Sequence, residues 1–184
     1  MIEIRFQGRG GQGVVIASQL LGRACFQEGL YAQCYSLFGG ERRGAPVAAF
    51  VRISDRKIFL KCDIERPEHL VLFDRFLLTE KEISENTARS GTILINTGEM
   101  IPSDLLRSYK IGQIDALRIS RRNGLGPIVN TAVLGAYVGL TQVVKLETLL
   151  NIIAEYIPSE VEKNINASKE AYKEVSVFHS PEAD

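Results

Sequence analysis

The segment from Ile2 to Glu28 constrains the fold most. Ile2, Ile4 and Phe6 alternate with Glu3, Arg5 and Gln7, the period-two pattern of a half-buried strand. The glycine run Gly8-Arg9-Gly10-Gly11-Gln12-Gly13 ends that strand, and Val14–Glu28 follows as a helix with Val15, Ala17, Leu20, Leu21 and Ala24 on one face. Gly29 supplies a natural C-terminal stop. Strand, glycine turn and helix form the opening of a βαβ unit. The chain is therefore expected to be α/β and Rossmann-like, with a mainly parallel sheet, helices on both faces and a helical C-terminal part.

The rest of the chain continues the alternation. Tyr31–Ser36 and Val47–Ile53 read as strands, separated by the glycine- and arginine-rich loop Leu37–Pro46. Ser54–Lys57 reads as a tight turn, from which Ile58–Cys62 is expected to pair back as a hairpin. His69–Phe73 and Gly91–Asn96 read as buried strands, and Gln113–Ile119 as a last one. Phe76–Thr87 and Pro102–Lys110 read as helices, the second capped by Ser103. After the break at Asn123–Pro127, Ile128–Val144 carries small residues that allow close helix approach. Leu146–Ile157 is apolar on one face, and Glu160–Val175 alternates charge as a solvated amphipathic helix. A single domain is expected over residues 1–178, with 179–184 as a frayed tail.

The spacing Gly8-x-Gly10-x-x-Gly13 after a strand and before a helix is the context a dinucleotide or phosphate-binding loop needs. The first glycine is assigned to the turn, the second to ligand approach, and the third to helix–strand packing. The helix start offers free N–H groups to an anion. Arg9 adds a charge and Gln12 a donor. A NAD site would place an acid about 20 residues further on, after the second strand. Tyr31–Ser36 holds none, which weakens that reading. A phosphate-bearing group and a plain structural turn both remain open on residue pattern alone.

The second concentrated feature is Phe38-Gly39-Gly40-Glu41-Arg42-Arg43-Gly44-Ala45-Pro46. One of Arg42 and Arg43 is free to reach a phosphate or carboxylate while the other pairs with Glu41. In a parallel sheet this loop shares an edge with the glycine loop. That edge, outside the carboxyl ends of the strands, is where ligands usually bind. A solvated surface loop is the plainer alternative.

Other classes have little support. Lysine plus arginine equals aspartate plus glutamate, 22 each, so no one-sign field favours nucleic acid or an anionic membrane. No apolar run approaches the ~18 residues of a span, and no leader pattern opens the chain. Cys25, Cys34 and Cys62 are odd in number and scattered, against a disulfide framework, a metal site or an iron–sulfur cluster held by this chain alone. His69 and His179 are the only histidines, and His69, beside an apolar strand, reads as structural. No nucleophile–base pair stands at a suggestive spacing, so no catalytic residue is assigned. The expected location is the cytoplasm.

Gly8–Gly13 followed by Phe38–Ser54 (F-G-G-E-R-R-G-A-P-V-A-A-F-V-R-I-S) resembles the γ subunit of the 2-oxoacid:ferredoxin oxidoreductases, the pyruvate, 2-oxoglutarate and 2-oxoisovalerate family. The later Asn130-x-x-x-x-Gly135 belongs to the same resemblance, which covers most of the chain and fits a stand-alone γ subunit. The family converts a 2-oxoacid, coenzyme A and oxidised ferredoxin to acyl-CoA, carbon dioxide and reduced ferredoxin, and the reverse. Thiamine diphosphate and iron–sulfur clusters do this chemistry, and the resemblance places them on partner α, β and ferredoxin-like δ subunits. It implies that the chain alone is inactive and helps to hold coenzyme A. Its pyrophosphate and 3′-phosphate suit Gly8, Arg9, Gly10, Gly11, Gln12 and Gly13 beside Arg42, Arg43 and Gly44. Phe38 and Tyr35 are candidates for packing on the ligand or a partner. A docking module without ligand contact and a free nucleotide-binding protein are the competing readings.

Overall fold

The alternating start forms strand β1 (Ile2–Arg9), and the apolar stripe behind the glycines forms helix α1 (Val14–Gln27). The computed structural model describes residues 1–38, 44–79, 83, 87–88, 90–101 and 108–179. Strands β2 (Tyr31–Phe38), β3 (Pro46–Ser54), β4 (His69–Leu72), β5 (Thr92–Asn96), β6 (Lys110–Ile114) and β7 (Ser176–His179) complete one sheet, in the order β2-β3-β1-β4-β5-β6-β7. Strands β1, β4, β5 and β6 are parallel neighbours. β3 runs antiparallel between β1 and β2, and β7 antiparallel to β6.

Helices α2 (Ala116–Arg122), α3 (Asn130–Thr141), α4 (Leu146–Tyr156) and α5 (Val161–Glu174) join α1 over one face of the sheet. That face contributes Ile4, Phe6, Ala49, Val51, Ile53, Val71 and Leu94. The other face buries Leu70, Leu72, Ile93, Ile95 and Ile111 under Ile83, Leu77, Leu78, Ile101 and Tyr109. β4 and β5 are thus apolar on both sides, which is why their sequences run without polar alternation. Helix α3 is buried nearly all round, as expected of a helix hydrophobic on every face. Helix α5 keeps a charged outer side, where Glu174 binds Arg118 and Arg122 of α2 at 2.9 and 2.7 Å.

Several sequence expectations are corrected. Ile58–Cys62 forms no strand, because β1 and β2 already occupy both edges of β3. The segment instead folds over the sheet: Leu60 O accepts from Gln33 Nε2, and Ile64 N donates to the Tyr35 hydroxyl. The last parallel strand is Lys110–Ile114 rather than Gln113–Ile119. Asp115 stops it by accepting from Arg118 N at 2.9 Å, while Asn96 Oδ1 accepts from Ala116 N. This is an ordinary N-cap that the apolar pattern obscured. The expected Phe76–Thr87 helix begins instead as a 3-10 turn, Arg75–Leu77, with Leu78 extended, while Ile83 is helical, its N donating to Thr79 O at 3.1 Å; residues 80–82 and 84–86 lie outside the described residues. So do residues 102–107 of the expected Pro102–Lys110 helix, and Lys110 itself opens β6. His179, expected in a frayed tail, closes β7; residues 180–184 are outside the described set.

His69, at the start of β4, is hydrogen-bonded through Nδ1 to the hydroxyl of the fully buried Tyr137 at 2.7 Å. Burial, aided by Lys110, pushes its imidazole down to about 4 from 6.5. The unfolded chain therefore binds a proton near pH ~6.5 that the folded chain refuses until about pH 4. Stability is full above pH ~6.5 and is lost as pH falls through that window, by roughly 2 to 4 kcal/mol. The His69→Asn variant, which keeps a polar atom near Nδ1, is expected to flatten the pH dependence of urea midpoints between pH 4 and 6.5. An unchanged slope would refute this.

Candidate functional site

The candidate site is the edge of the sheet at the carboxyl ends of β1, β4 and β5. Gly8 still belongs to β1, paired with Val47. A Cβ there would lie 2.6 Å from Val14 Cγ2 and 2.9 Å from Phe73 Cβ. The first glycine thus serves close packing rather than the turn. The turn is made by Gly11 and Gly13, with φ of 98° and 77°, a region L side chains rarely enter. At Gly13 a Cβ would also lie 2.8 Å from Asn130 Cβ. The Gly13 and Asn130 positions, distant in sequence, are one contact between the start of α1 and the start of α3.

The loop is braced internally. Arg9 N donates to Gln12 Oε1 at 2.7 Å, and Gln12 N donates to Arg9 O at 3.1 Å. Gln12, the candidate donor, uses its side-chain oxygen to hold its own loop. Arg9 Nε donates to Asp74 Oδ2 at 2.6 Å, and Nη1 reaches Gly44 O at 3.5 Å. Gly13 caps α1 without any side-chain hydrogen bond, and the first turn of α1 carries no acidic residue. The helix start therefore presents main-chain N–H groups and its positive dipole end with no carboxylate of its own to cancel them.

The arginine loop meets the glycine loop at its root. Gly10 N donates to Ala45 O at 2.9 Å, and Gly44 N donates to Gly10 O at 3.2 Å. Gly44 has φ of 87° and space around the position of a Cβ. β2 and β1 run the same way although β3 lies between them, so the end of β2 and the glycine loop do share one sheet edge. Arg42 and Arg43 lie outside the described residues, as do residues 39–41. Tyr35 is not on this edge. Its ring stacks on Phe50 at 4.9 Å, and its hydroxyl accepts from Ile64 N.

Asp74 was missed by the sequence reading, which ended a strand at Phe73 and began a helix at Phe76. An acid directly after a buried parallel strand was the available signal. Further along the same edge Arg75 pairs with Glu99, and Gln113 Nε2 donates to Thr97 O and Glu99 O at 3.2 and 2.9 Å. Among the described residues no group of three or more His, Cys, Asp or Glu is gathered for a metal ion. The Cys25 thiol is no ready metal ligand either. Cys25 is buried, and burial together with Cys34 and Glu28 pushes it up to about 12, so it stays protonated. No described helix is long and apolar enough to cross a membrane.

The profile of the pyruvate ferredoxin/flavodoxin oxidoreductase family matches residues 3–174. The chain belongs to that family. Within it the similarity is to γ subunits. Pyruvate synthase subunit PorC of Methanocaldococcus jannaschii is 44% identical over 177 residues, covering 95% of this chain and 97% of the relative. The common γ subunit of the pyruvate/ketoisovalerate oxidoreductases of Pyrococcus abyssi is 39% identical, covering 97% and 99%. The crystal structure of pyruvate oxidoreductase subunit PORC from Thermotoga maritima superposes with a TM-score of 0.82 at 33% identity, covering 96% of this chain and 97% of that one. This γ subunit is thus a component of an oxidoreductase complex, and the glycine loop, the arginine loop and the Asn130 helix all fall within the matched region.

Proposed function

We propose that this γ subunit supports the oxidative decarboxylation of a 2-oxoacid to acyl-CoA, and its reverse, by helping to hold coenzyme A and by joining the assembly. The observation that carries this reading is the main-chain pairing of Gly10 with Gly44 and Ala45. It sets the root of a di-arginine loop against an uncapped helix start with no acid in its first turn. Such an edge suits the pyrophosphate and 3′-phosphate of coenzyme A. Main-chain N–H groups at Gly11 and Gly13 would meet one phosphate group, and Arg42 or Arg43 would supply charge to another.

In this division of labour, thiamine diphosphate on a partner subunit supplies the carbanion chemistry, and iron–sulfur clusters on partners pass electrons to ferredoxin. The γ chain's own residues bind and orient the coenzyme. The whole assembly of α, β, γ and δ subunits is assigned to the cytoplasm. An assembly role is favoured by Phe76 and Met100, apolar side chains 73% and 94% exposed beside the Arg75–Glu99 pair.

Replacing Arg42 and Arg43 together by alanine in the assembled enzyme is expected to raise the KM for coenzyme A about tenfold or more, the weight of a lost charge-assisted contact. The KM for the 2-oxoacid should stay near its original value. An unchanged coenzyme A KM with intact assembly would overturn the binding reading and leave docking as the role.

A further inference from the structure

Arg9 and Asp74 lie 65 residues apart in the chain and meet at the candidate edge. The Asp74 side chain is 13% exposed and that of Arg9 42%. Asp74 is used twice: Oδ2 accepts from Arg9 Nε at 2.6 Å, and Oδ1 accepts from Phe76 N at 3.0 Å, capping the 3-10 turn. The carboxylate is therefore fixed by the turn that follows β4, and it fixes the guanidinium in turn. With Nε committed to Asp74, Nη1 points at the carbonyl of Gly44, the residue whose N–H closes on Gly10. One ion pair thus ties the end of β4 to the glycine loop and to the root of the arginine loop.

We propose that Asp74 is a positioning residue for coenzyme A, acting through Arg9 to hold the glycine loop in register with the root of the arginine loop. The proposal rests on the reading that this edge holds coenzyme A. The pair also settles a charge question at the edge. An Asp74 carboxylate without Arg9 would stand largely buried and unpaired beside a phosphate site, where like charge repels. An Arg9 without Asp74 keeps its charge and loses its orientation. Loss of Arg9 should therefore weaken coenzyme A binding more than loss of Asp74, and removing both should be no worse than removing Arg9 alone.

The test is steady-state kinetics of the assembled complex carrying Asp74→Ala, Asp74→Asn, Arg9→Ala and the Arg9→Ala/Asp74→Ala pair. Asp74→Ala is expected to raise the KM for coenzyme A on the order of tenfold, within the usual span of coupling between sites. Asp74→Asn keeps an oxygen for Phe76 N but turns a donor toward Arg9 or removes its charge, so it should show most of the same rise. At saturating coenzyme A, kcat and the 2-oxoacid KM should stay near their original values. If Asp74→Ala does not assemble, Asp74→Asn decides, because it preserves the turn. An unchanged coenzyme A KM in the Asp74 variants, effects that multiply in the double variant, or a joint change in kcat and both KM values would each overturn the proposal. Should the Arg42/Arg43 double variant still raise the coenzyme A KM, only the role of Asp74 falls. Should it not, the reading of the site falls with it.

Discussion

Gly135→Val is expected to cost the purified chain about 3 kcal/mol or more, the upper part of the range for overpacking a fitted contact. At roughly 2–4 °C per kcal/mol for a chain of this size, the melting temperature should fall by about 6–12 °C. Gly135 sits in α3 directly against the main chain of Ser168 in α5, and one turn later a Cβ at Gly139 would lie 2.5 Å from Tyr172 O. Neither obstacle is a flexible side-chain end, so the helices must separate to admit a side chain. Gly135→Ala is the sharper variant. In an exposed helix interior glycine-to-alanine gains about 1 kcal/mol. Here the same change should destabilise, because the added carbon meets a carbonyl. A higher thermal midpoint for Gly135→Ala would show that α3 and α5 do not pack this closely.

Arg52→Met is expected to destabilise by about 3 kcal/mol, the lower part of the range for breaking a buried ion pair from one side. The Arg52 side chain is 1% exposed, and Nε donates to Glu3 Oε1 at 2.7 Å. Nη1 donates to Gln33 Oε1 at 3.0 Å, and Nη2 to Cys62 O at 2.7 Å. One guanidinium thus joins β1, β2 and β3 to the segment that covers them. Methionine fills similar volume but leaves a glutamate, an amide oxygen and a carbonyl without their donor. Arg52→Lys should rescue little, since one ammonium cannot reproduce the planar fork. Glu3→Gln should cost much less, because Glu3 is 24% exposed and water can replace part of its contact. Urea midpoints of the three variants test the order, and an Arg52→Lys chain as stable as the original would refute the account.

Much of this fold was legible along the chain. The alternation in Ile2–Gln7, the glycine run and the stripe of α1 are local patterns, and each emerged within a residue or two of its expected place. The buried strands β4 and β5 were legible from short apolar runs. The misreadings have physical causes. Ile58–Cys62 looks like a strand because hairpin signals are local, whereas pairing requires a free edge, and β3 has none. The end of β6 was misplaced because Ile114, Ala116 and Ile119 are apolar on both sides of a capping aspartate.

The candidate site divides the same way. Gly13 and the arginine loop stand out by spacing, and their common edge followed from strand direction. Asp74 did not, because an acid that pairs with an arginine 65 residues earlier leaves no periodic mark. Arg52 stands in the sequence only as the one charge within the strand Val47–Ile53. Only the covering segment makes it a buried hub.

By itself the sequence determined the α/β class and the strand–glycine loop–helix opening, because backbone preference and apolar period are properties of neighbouring residues, and the resemblance carried by its two loop motifs pointed to the family. The tertiary structure alone decided that β3 enters between β1 and β2, that Asn130 seats on Gly13, and that Arg9 is held by Asp74. Those outcomes depend on which edges and surfaces remain free after the sheet has closed, and competition for them is settled between residues far apart in the chain.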